Sequence, residues 1–430
     1  MAVGGGVDSR NAVAKPTGRY SRRPPTAVTR PGYRKPLCVG YGTVQSAPKT
    51  EQRLEKGQAM KVSHDLANGT GGALADPPGL VIARDRSGAL HHGGRLRAAA
   101  SHYGLALDQW LDLSTGINPN GWPVPTIPAS AWTRLPEDED GLEQAARAYY
   151  GASHLLPVAG SQAAIQALPR LRPPRRVGVL SPGYAEHAAA WHEGGHEVRA
   201  LAAGEMDQAV PTSDVLILIH PNNPTVARFP LEQLLDWHAQ LAARGGWLVV
   251  DEAFMDTTPD QSLCGLSARP GLIVLRSLGK FFGLAGARLG FVCAQPDLLV
   301  RLERLLGPWT VNAPARWVAQ AALRDQEWQE RERPRLISAG ERLGALLRRQ
   351  GLVPQGGCAL FQWIPSPRAR DLHQALARQG ILTRLFEDPA SLRLGLPGTE
   401  ADWARLEATL SRVVAEVVPQ AATDPREVKP

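Results

Sequence analysis

The feature that most constrains the fold is an alternation between short runs of Val, Ile and Leu and longer amphipathic stretches. The apolar runs are VGVLS, VLILIHP, WLVVDEAF and GLIVLRS, and the stretches between them include AEHAAAWHEGG and LEQLLDWHAQLAARGG. Continuous apolar strands separated by helices are typical of a parallel sheet that is covered on both faces. The sequence therefore predicts an α/β fold built around a mostly parallel sheet.

The pattern changes along the chain in a way that predicts two lobes. Helical periodicity dominates from about 296 to 350, and a second α/β section follows with QWIP, ILTRLF and SLRLGL as short strands and ADWARLEATLSRVVAEVV as the last helix. The predicted divisions are a basic N-terminal extension (1–85), an N-terminal arm that forms part of a small domain (86–140), a large domain (141–310), a C-terminal small domain (311–419) and a tail (420–430).

Composition excludes several classes of protein. With 43% hydrophobic residues among 430, the chain can build a large core, yet no apolar run approaches the roughly 20 residues that cross a bilayer. The first residues lack the apolar stretch of a signal peptide. The cysteines form no C-x-x-C pair, so we expect no metal or redox site and a reducing, cytoplasmic environment. They are Cys38, Cys264, Cys293 and Cys358.

The net charge of +7 is concentrated at the N-terminus. Residues 1–59 contain eleven Lys and Arg and three Asp and Glu, a surplus of eight, which leaves 7 − 8 = −1 for the rest of the chain. This Pro-, Gly- and Arg-rich segment lacks apolar periodicity and is predicted to be disordered. It is either a solvated tail, a segment upstream of a translation start at Met60, or an arm that binds RNA or a partner. Nucleic-acid binding by the remaining chain is not expected.

Polar residues follow the apolar runs, where the carboxyl ends of parallel strands meet in one crevice. Asn222 and Asn223 follow VLILI, Asp251 follows WLVV, and Ser277 and Lys280 follow LIVL. Farther upstream, VAGSQAA places Gly160, Ser161 and Gln162 at the predicted start of a helix, where free N–H groups favour an anion such as phosphate.

Each of these motifs taken singly also has a structural explanation. Asn-Pro is a common turn former, and Asp-Glu often ends a strand. Lysine is rarely buried, so the amine of Lys280 either reaches water along its apolar stem or has a chemical role. The combination of Asp, Asn and Lys at neighbouring strand ends with an anion cradle favours pyridoxal phosphate, a cofactor that withdraws electrons and carries a phosphate.

Four spaced motifs carry a family resemblance. PNNPT, VVDEAF, RSLGKFFGLAGARLGF and LRLGL resemble the signature set of fold-type I pyridoxal-phosphate enzymes, in the branch that holds histidinol-phosphate aminotransferases and threonine-phosphate decarboxylases. The resemblance extends over about residues 88 to 415. Further motifs are most similar to the decarboxylases: HHGG with His91 and His92, LDLSTGINPNG, PGYAEH, DEAF followed by Asp256, and GPWTVNAPA with Trp309 and Asn312.

The resemblance implies a role for each cofactor residue. Lys280 would join the cofactor covalently through its amine, Asp251 would keep the pyridine nitrogen protonated, and Asn223 would donate to the phenolate oxygen. Tyr184 would stack on the ring, although a half-buried core aromatic has the same pattern. The residues expected to hold the cofactor phosphate are Gly160, Ser161, Gln162, Ser277 and Arg288.

The resemblance also implies a substrate site. Arg393 would bind the substrate carboxylate, and Arg384 with His92 would bind a substrate phosphate, although Arg384 also fits an ordinary surface position. The loop from Gly116 to Asn118 would close over the carboxylate end. The expected ligand is therefore a small phosphorylated amino acid.

Two positions depart from the relatives. Aminotransferases of this branch usually have Tyr where this chain has Phe254, a change that a decarboxylase tolerates but that a core position also explains. Relatives often have R-Y-P where this chain reads TRLP, so Leu135 takes the place of a Tyr that reaches the phosphate of the neighbouring subunit. A homodimer is expected, without that contact.

The implied activity is decarboxylation of L-threonine O-3-phosphate to (R)-1-amino-2-propanol O-2-phosphate for cobalamin biosynthesis. The main alternative is histidinol-phosphate aminotransferase, which shares the cofactor residues. An aminotransferase-like domain kept only for binding, and a nucleic-acid or scaffold protein acting through the basic N-terminus, are further alternatives.

Overall fold

The computed structural model describes residues 92–417. The predicted extension at 1–85, His91 and the predicted tail at 420–430 lie outside the described residues. The helices are α1 (Leu96–Tyr103), α2 (Ser130–Thr133), α3 (Leu142–Tyr150), α4 (Ser161–Ala167), α5 (Ala185–Glu193), α6 (Met206–Ala209), α7 (Leu231–Ala242), α8 (Pro296–Leu306), α9 (Ala313–Arg324), α10 (Gln326–Arg349), α11 (Ala369–Arg378) and α12 (Glu400–Val417).

The strands form three sheets. They are β1 (Leu111–Asp112), β2 (Leu155–Val158), β3 (Arg176–Leu180), β4 (Glu197–Leu201), β5 (Val215–Ile219), β6 (Trp247–Asp251), β7 (Leu272–Ser277), β8 (Gly290–Cys293), β9 (Gly356–Cys358), β10 (Phe361–Pro365), β11 (Ile381–Leu382), β12 (Arg384–Glu387) and β13 (Ala390–Gly395).

The largest sheet has seven strands in the order β2-β8-β7-β6-β5-β3-β4. Only β8 runs against its two neighbours, so the sheet is mostly parallel, as the sequence predicted. Every residue of β5 and β6 is buried, which explains why these central strands are continuous apolar runs rather than alternating ones.

Both faces of this sheet are covered by helices. Successive strand residues point to opposite faces, and the core divides accordingly. Ile217 and Val249 belong to one buried cluster, which also contains Trp191 of α5, whereas Leu216 and Leu248 belong to the other, which contains Trp237 of α7. The predicted arrangement of a parallel sheet between helices is confirmed.

The two edge strands were not among the predicted strands. β2 contains Pro157, which has no N–H for a ladder hydrogen bond and is tolerated because β2 lies at the edge of the sheet. β4, at the other edge, alternates between buried and exposed residues. Neither strand has the continuous apolar run that identifies a central parallel strand.

The C-terminal section contains a four-stranded antiparallel sheet in the order β12-β13-β10-β9. In this sheet Arg384 of β12 lies directly opposite Arg393 of β13. The short strand β1 pairs in parallel with β11, which attaches the segment after α1 to this section. The predicted domain boundaries at 140/141 and 310/311 stay predictions. None of the helices between residues 92 and 417 is both long and apolar enough to span a bilayer.

Candidate active site

The carboxyl ends of three adjacent parallel strands carry the central groups of the candidate site. Asp251 is the last residue of β6 and Ser277 the last of β7, with Lys280 three residues farther on. Asn223 lies in the loop that follows β5. Because β5, β6 and β7 are neighbours in the sheet, their ends bring these side chains to one crevice.

The amine of Lys280 is surrounded by protein on most sides, although the residue keeps some accessibility. The pKa of Lys280 is lowered from 10.5 to about 8, mainly by burial and then by the positive charge of Arg393, while Asp251 acts in the opposite direction. The Nζ atom lies 5.4 Å from the centre of the Phe254 ring. A lysine with this lowered pKa is a free amine far more often at neutral pH than an exposed lysine is, and the free amine is the nucleophilic form.

The carboxylate of Asp251 is fixed by two donors. Oδ1 accepts a hydrogen bond of 3.0 Å from the backbone N–H of Ala253, and Oδ2 lies 3.0 Å from Nε2 of His187. Asp251 is 4% exposed and His187 is 1% exposed. A buried carboxylate held in this way retains a fixed orientation and can face a cationic nitrogen.

Gly160 and Arg288, which are predicted to form an anion cradle, lie against each other. Gly160 has φ 72° and ψ 157°, a conformation that is almost restricted to glycine, and precedes the first residue of α4. A Cβ at this position would lie 2.8 Å from Nη2 of Arg288, so glycine allows the guanidinium to approach the backbone closely. Arg288 itself adopts φ 52°, a left-handed conformation that non-glycine residues rarely occupy.

The side chain of Gln162 is directed to protein partners. Its Nε2 donates to Oε2 of Glu186 at 2.7 Å, and its Oε1 accepts from the hydroxyl of Tyr184 at 3.1 Å. The side-chain contact from Gln162 to a phosphate, expected from the sequence, therefore competes with two existing hydrogen bonds. The backbone N–H groups at the start of α4 remain the better candidates for that contact.

His92 also contacts Glu186, with Nε2 2.6 Å from Oε1. The expected role of His92 with a substrate phosphate stays a prediction. Tyr184 lies beside His92, with ring centres 5.7 Å apart. Burial raises the pKa of Tyr184, and the neighbouring charges of Glu186 and Asp251 raise it further. Its hydroxyl is therefore neutral at physiological pH.

Arg393, on β13, is buried and fixed by two hydrogen bonds. Its Nη1 donates to Oδ1 of Asn223 at 2.5 Å and its Nη2 donates to the carbonyl oxygen of Ser114 at 2.6 Å. Its Nε is buried without a hydrogen-bond partner in the described part of the chain. Burial, followed by repulsion from Arg384, lowers the pKa of Arg393 to about 10, so it stays a cation at pH 7.

Arg384 faces the same region from the neighbouring strand. Burial lowers the pKa of Arg384 to about 10, and the nearby Tyr184 opposes part of that effect. Its guanidinium carbon lies 5.1 Å from the centre of the Phe386 ring. Two arginines opposite each other repel unless an anion lies between or beside them, so this pair favours an anionic ligand.

The loop from Gly116 to Asn118 lies beside the lysine segment. The backbone N–H of Asn118 donates to the carbonyl oxygen of Lys280 at 3.0 Å. The buried side-chain amide of Asn118 donates to Phe281 O at 2.9 Å and to Glu332 Oε1 at 2.7 Å. A Cβ on Gly116 would lie 2.9 Å from the Phe254 ring. The loop is thus fixed against the site, and its contact with a substrate stays a prediction.

Three site residues were not identified from the sequence: Ser114, Glu186 and His187. Glu186 and His187 belong to the motif PGYAEH, but both fit the helical pattern of α5 and gave no separate signal. Ser114 contributes its backbone carbonyl to Arg393, a contact that no side-chain pattern predicts.

The arrangement fits pyridoxal phosphate. The desolvated amine of Lys280, the buried carboxylate of Asp251 and the cradle of Gly160 and Arg288 offer a nucleophile, a partner for a cationic ring nitrogen and an anion site. Nε of Arg393, which is close enough to Lys280 to lower its pKa, is buried without a partner in the described residues and could donate to a bound ligand. Between residues 92 and 417 no group of three acidic, His or Cys side chains is placed to bind a metal.

The sequence of this chain matches the model of a known protein family. The sequence model of the family "Aminotransferase class I and II" matches residues 135–410. The chain belongs to the class I and II aminotransferase family. Lys280, Asp251, Asn223 and Arg393 all lie within the part of the chain that matches this aminotransferase family.

Two curated relatives are similar to this chain over almost their whole length. A threonine-phosphate decarboxylase from Pseudomonas aeruginosa is 61% identical, in an alignment that covers 75% of this chain and 97% of the relative. A threonine-phosphate decarboxylase from a Sinorhizobium species is 41% identical and covers 75% of this chain and 98% of the relative.

A solved structure shows the same fold. The crystal structure of histidinol-phosphate aminotransferase from Sinorhizobium meliloti in complex with pyridoxal-5'-phosphate superimposes with a TM-score of 0.66 at 21% identity, covering 75% of this chain and 95% of the other. The fold predicted from the sequence, that of a fold-type I pyridoxal-phosphate enzyme, is confirmed.

Proposed function

We propose that this protein is a pyridoxal-phosphate-dependent carboxy-lyase that converts L-threonine O-3-phosphate into (R)-1-amino-2-propanol O-2-phosphate, a precursor for cobalamin. The observation that carries the proposal is the arginine pair across β12 and β13. Arg393 is close enough to Lys280 to lower the pKa of its amine, and Arg384 lies opposite Arg393 in the sheet. Two cations on one side of the lysine suit a substrate that carries both a carboxylate and a phosphate. The names of the two curated relatives support the same substrate.

One group of residues would bind the cofactor. Pyridoxal phosphate, when bound, would supply an electron sink for the bond at Cα that breaks. Asp251 would face the ring nitrogen, Asn223 would donate to the phenolate oxygen, and Gly160, Ser161, Ser277 and Arg288 would hold the cofactor phosphate.

In this proposal, the residues that bind the substrate would select the bond that breaks. Arg393 would hold the substrate carboxylate, while Arg384 and His92 would hold the phosphate, so the substrate would be fixed at both ends and these residues would set the direction of its Cα–carboxylate bond. Carbon dioxide leaves without its electron pair, and a proton must then reach Cα. The amine of Lys280, with its pKa of about 8, is suited to hold and deliver that proton.

Product analysis tests the activity. Purified protein supplied with threonine phosphate is expected to release carbon dioxide with no oxo-acid acceptor present. The competing activity is histidinol-phosphate aminotransferase, which requires 2-oxoglutarate and forms glutamate. A strict dependence on 2-oxoglutarate would overturn the proposal. Lys280→Ala is expected to abolish both activity and the absorbance of the bound cofactor, whereas a wild-type protein that takes up no pyridoxal phosphate would refute the cofactor assignment.

We infer a homodimer in the cytoplasm. Trp132, Leu135 and Trp309 are large apolar side chains that are 67%, 63% and 61% exposed, as expected of residues that a second subunit covers. Cys264, Cys293 and Cys358 are free thiols, which suits a reducing compartment. Light scattering after gel filtration measures the assembly, and a monomeric mass with full activity would contradict it.

A further inference from the structure

Glu186 lies at the start of α5 and contacts two separate parts of the candidate site. Its Oε1 is 2.6 Å from Nε2 of His92, ahead of α1. Its Oε2 accepts from Nε2 of Gln162 at 2.7 Å and from Nε2 of Gln166 at 3.1 Å, both on α4. The side chain of Glu186 is only 14% exposed. One carboxylate therefore joins the N-terminal segment to the helix that begins at the anion cradle.

The hydrogen bonds keep this carboxylate ionised. The bond from His92 is the main cause that lowers the pKa of Glu186 below its ordinary value, and those from Gln162 and Gln166 act in the same direction, although burial opposes them. A carboxylate accepts hydrogen bonds and does not donate them, so Nε2 of His92 carries the proton in this pair. Glu186 thus fixes Nε2 as the ring nitrogen of His92 that faces α5, and Nδ1 is the nitrogen that is left for another contact.

The same carboxylate also orients Tyr184. With Nε2 of Gln162 directed to Glu186, Oε1 of Gln162 is left facing the hydroxyl of Tyr184 and accepts its hydrogen bond. Tyr184 in turn lies against the His92 ring. His92, Glu186, Gln162 and Tyr184 therefore form a closed set in which Glu186 supplies the only charge-assisted acceptor.

We propose that Glu186 is a positioning residue for the phosphate end of the substrate: by accepting from Nε2 of His92, it holds the ring so that the other nitrogen, as Nδ1–H, donates to the substrate phosphate. The inference rests on the proposed function, because it requires a substrate that carries a phosphate. As an anion, Glu186 repels that phosphate and acts through His92 rather than by direct contact.

Binding of the reaction product to the holoenzyme tests this role without turnover. 1-Amino-2-propanol phosphate has the amine and the phosphate but no carboxylate to lose, and 1-amino-2-propanol lacks the phosphate. Calorimetry is expected to show that Glu186→Gln weakens binding of the phosphorylated amine about tenfold, the effect of losing one charge-assisted hydrogen bond. Binding of the unphosphorylated amine is expected to stay within twofold of wild type. Gln166→Ala is the matched control, because it removes one donor to Oε2 of Glu186 and leaves the contact between Oε1 and His92 in place. This variant is expected to bind both amines as the wild type does.

A double-mutant cycle separates positioning from general disruption. If Glu186 acts through His92, Glu186→Gln combined with His92→Ala binds the phosphorylated amine no more weakly than His92→Ala alone. Losses that add in the double variant, or an equal loss for both amines, would overturn the inference. Glu186→Asp, which retains the charge but is shorter by one methylene, provides the same comparison if Glu186→Gln does not fold.

The outcomes also distinguish this inference from the proposed function. Wild-type protein that releases carbon dioxide from threonine phosphate, combined with unchanged binding in Glu186→Gln, refutes the role of Glu186 alone. Wild-type protein that fails to release carbon dioxide but shows the expected pattern of product binding refutes the decarboxylase activity and retains the role of Glu186.

Discussion

The imidazole of His187 is a buried partner of Asp251, with Nε2 and Oδ2 3.0 Å apart. Both residues lie at the carboxyl edge of the large sheet, one at the start of α5 and the other at the end of β6. Because a carboxylate only accepts, Nε2 of His187 is the donor and its ring orientation sets the direction in which the second oxygen of Asp251 points.

We therefore expect His187→Leu to impair the cofactor site. The substitution leaves Oδ2 of Asp251 buried without a donor, which costs about 1–3 kcal/mol in the free energy of unfolding. The dissociation constant for pyridoxal phosphate is expected to rise about tenfold, as measured by equilibrium dialysis. His187→Gln, which can offer an N–H at a similar distance, is the matched control. Equal losses in the two variants would show that ring packing rather than the hydrogen bond matters.

Arg276 lies between two buried carboxylates behind the site. Its Nη1 is 2.7 Å from Oε2 of Glu252 and its Nη2 is 2.8 Å from Oδ1 of Asp256. None of the three side chains is more than 2% exposed. Glu252 follows Asp251 and Arg276 precedes Ser277, so this group connects the ends of β6 and β7 next to the cofactor residues.

Removing the cation of this group is expected to destabilise the protein strongly. Arg276→Met leaves two carboxylates buried without their cation, which costs about 3–5 kcal/mol in the free energy of unfolding. Denaturation with urea measures the change. Adding Glu252→Gln and Asp256→Asn to Arg276→Met removes both charges and is expected to restore part of the loss. No recovery in the triple variant would show that packing of the guanidinium, rather than charge, dominates.

The sequence predicts the central strands but not how side chains meet behind them. β5, β6 and β7 are identifiable because burial on both faces selects continuous Val, Ile and Leu. The same periodicity places Asp251, Ser277 and Lys280 at one edge of the sheet. The contacts of Glu186 and His187 depend on the path of the loop before α5, and hydrophobic periodicity does not predict the path of a loop. The buried position of Arg276 is equally hidden, since arginine is usually exposed.

Gly160 is expected to be required for cofactor binding because of its neighbour as well as its conformation. Gly160→Ala introduces backbone strain of about 1–3 kcal/mol and directs a methyl group toward the guanidinium of Arg288. The dissociation constant for pyridoxal phosphate is expected to rise at least tenfold, measured from the absorbance of the bound cofactor.

Gly307 is the matched control for this substitution. It has φ 80° and ψ 177°, close to the conformation of Gly160, and a Cβ there would meet nothing within 4 Å. Gly307→Ala is expected to lose similar stability but to retain cofactor affinity. If both variants lose affinity equally, backbone strain alone explains the effect and the contact with Arg288 is unimportant.

The lowered pKa of Lys280 predicts how stability depends on pH in the cofactor-free protein. Between its folded pKa of about 8 and its ordinary value of 10.5, the unfolded chain binds a proton that the folded protein does not. Stability contributed by this group therefore rises with pH across that window, and below pH 8 the folded protein bears the full cost of burying the cation.

Lys280→Met, which retains the length of the side chain without the amine, isolates this contribution. At pH 7 the variant is expected to be about 2–3 kcal/mol more stable than the cofactor-free wild type, allowing for partial screening of the amine by solvent. By pH 9.5 the difference is expected to fall to about 1 kcal/mol, because the wild-type lysine is already neutral when folded. Guanidinium denaturation at the two pH values measures the difference in free energy of unfolding between the variant and the wild type. Other titrating groups are present in both proteins, so their contributions cancel in this difference. A gap that stays constant would mean that Lys280 is as well solvated as a surface lysine, and its role as the nucleophile would then lose its physical basis.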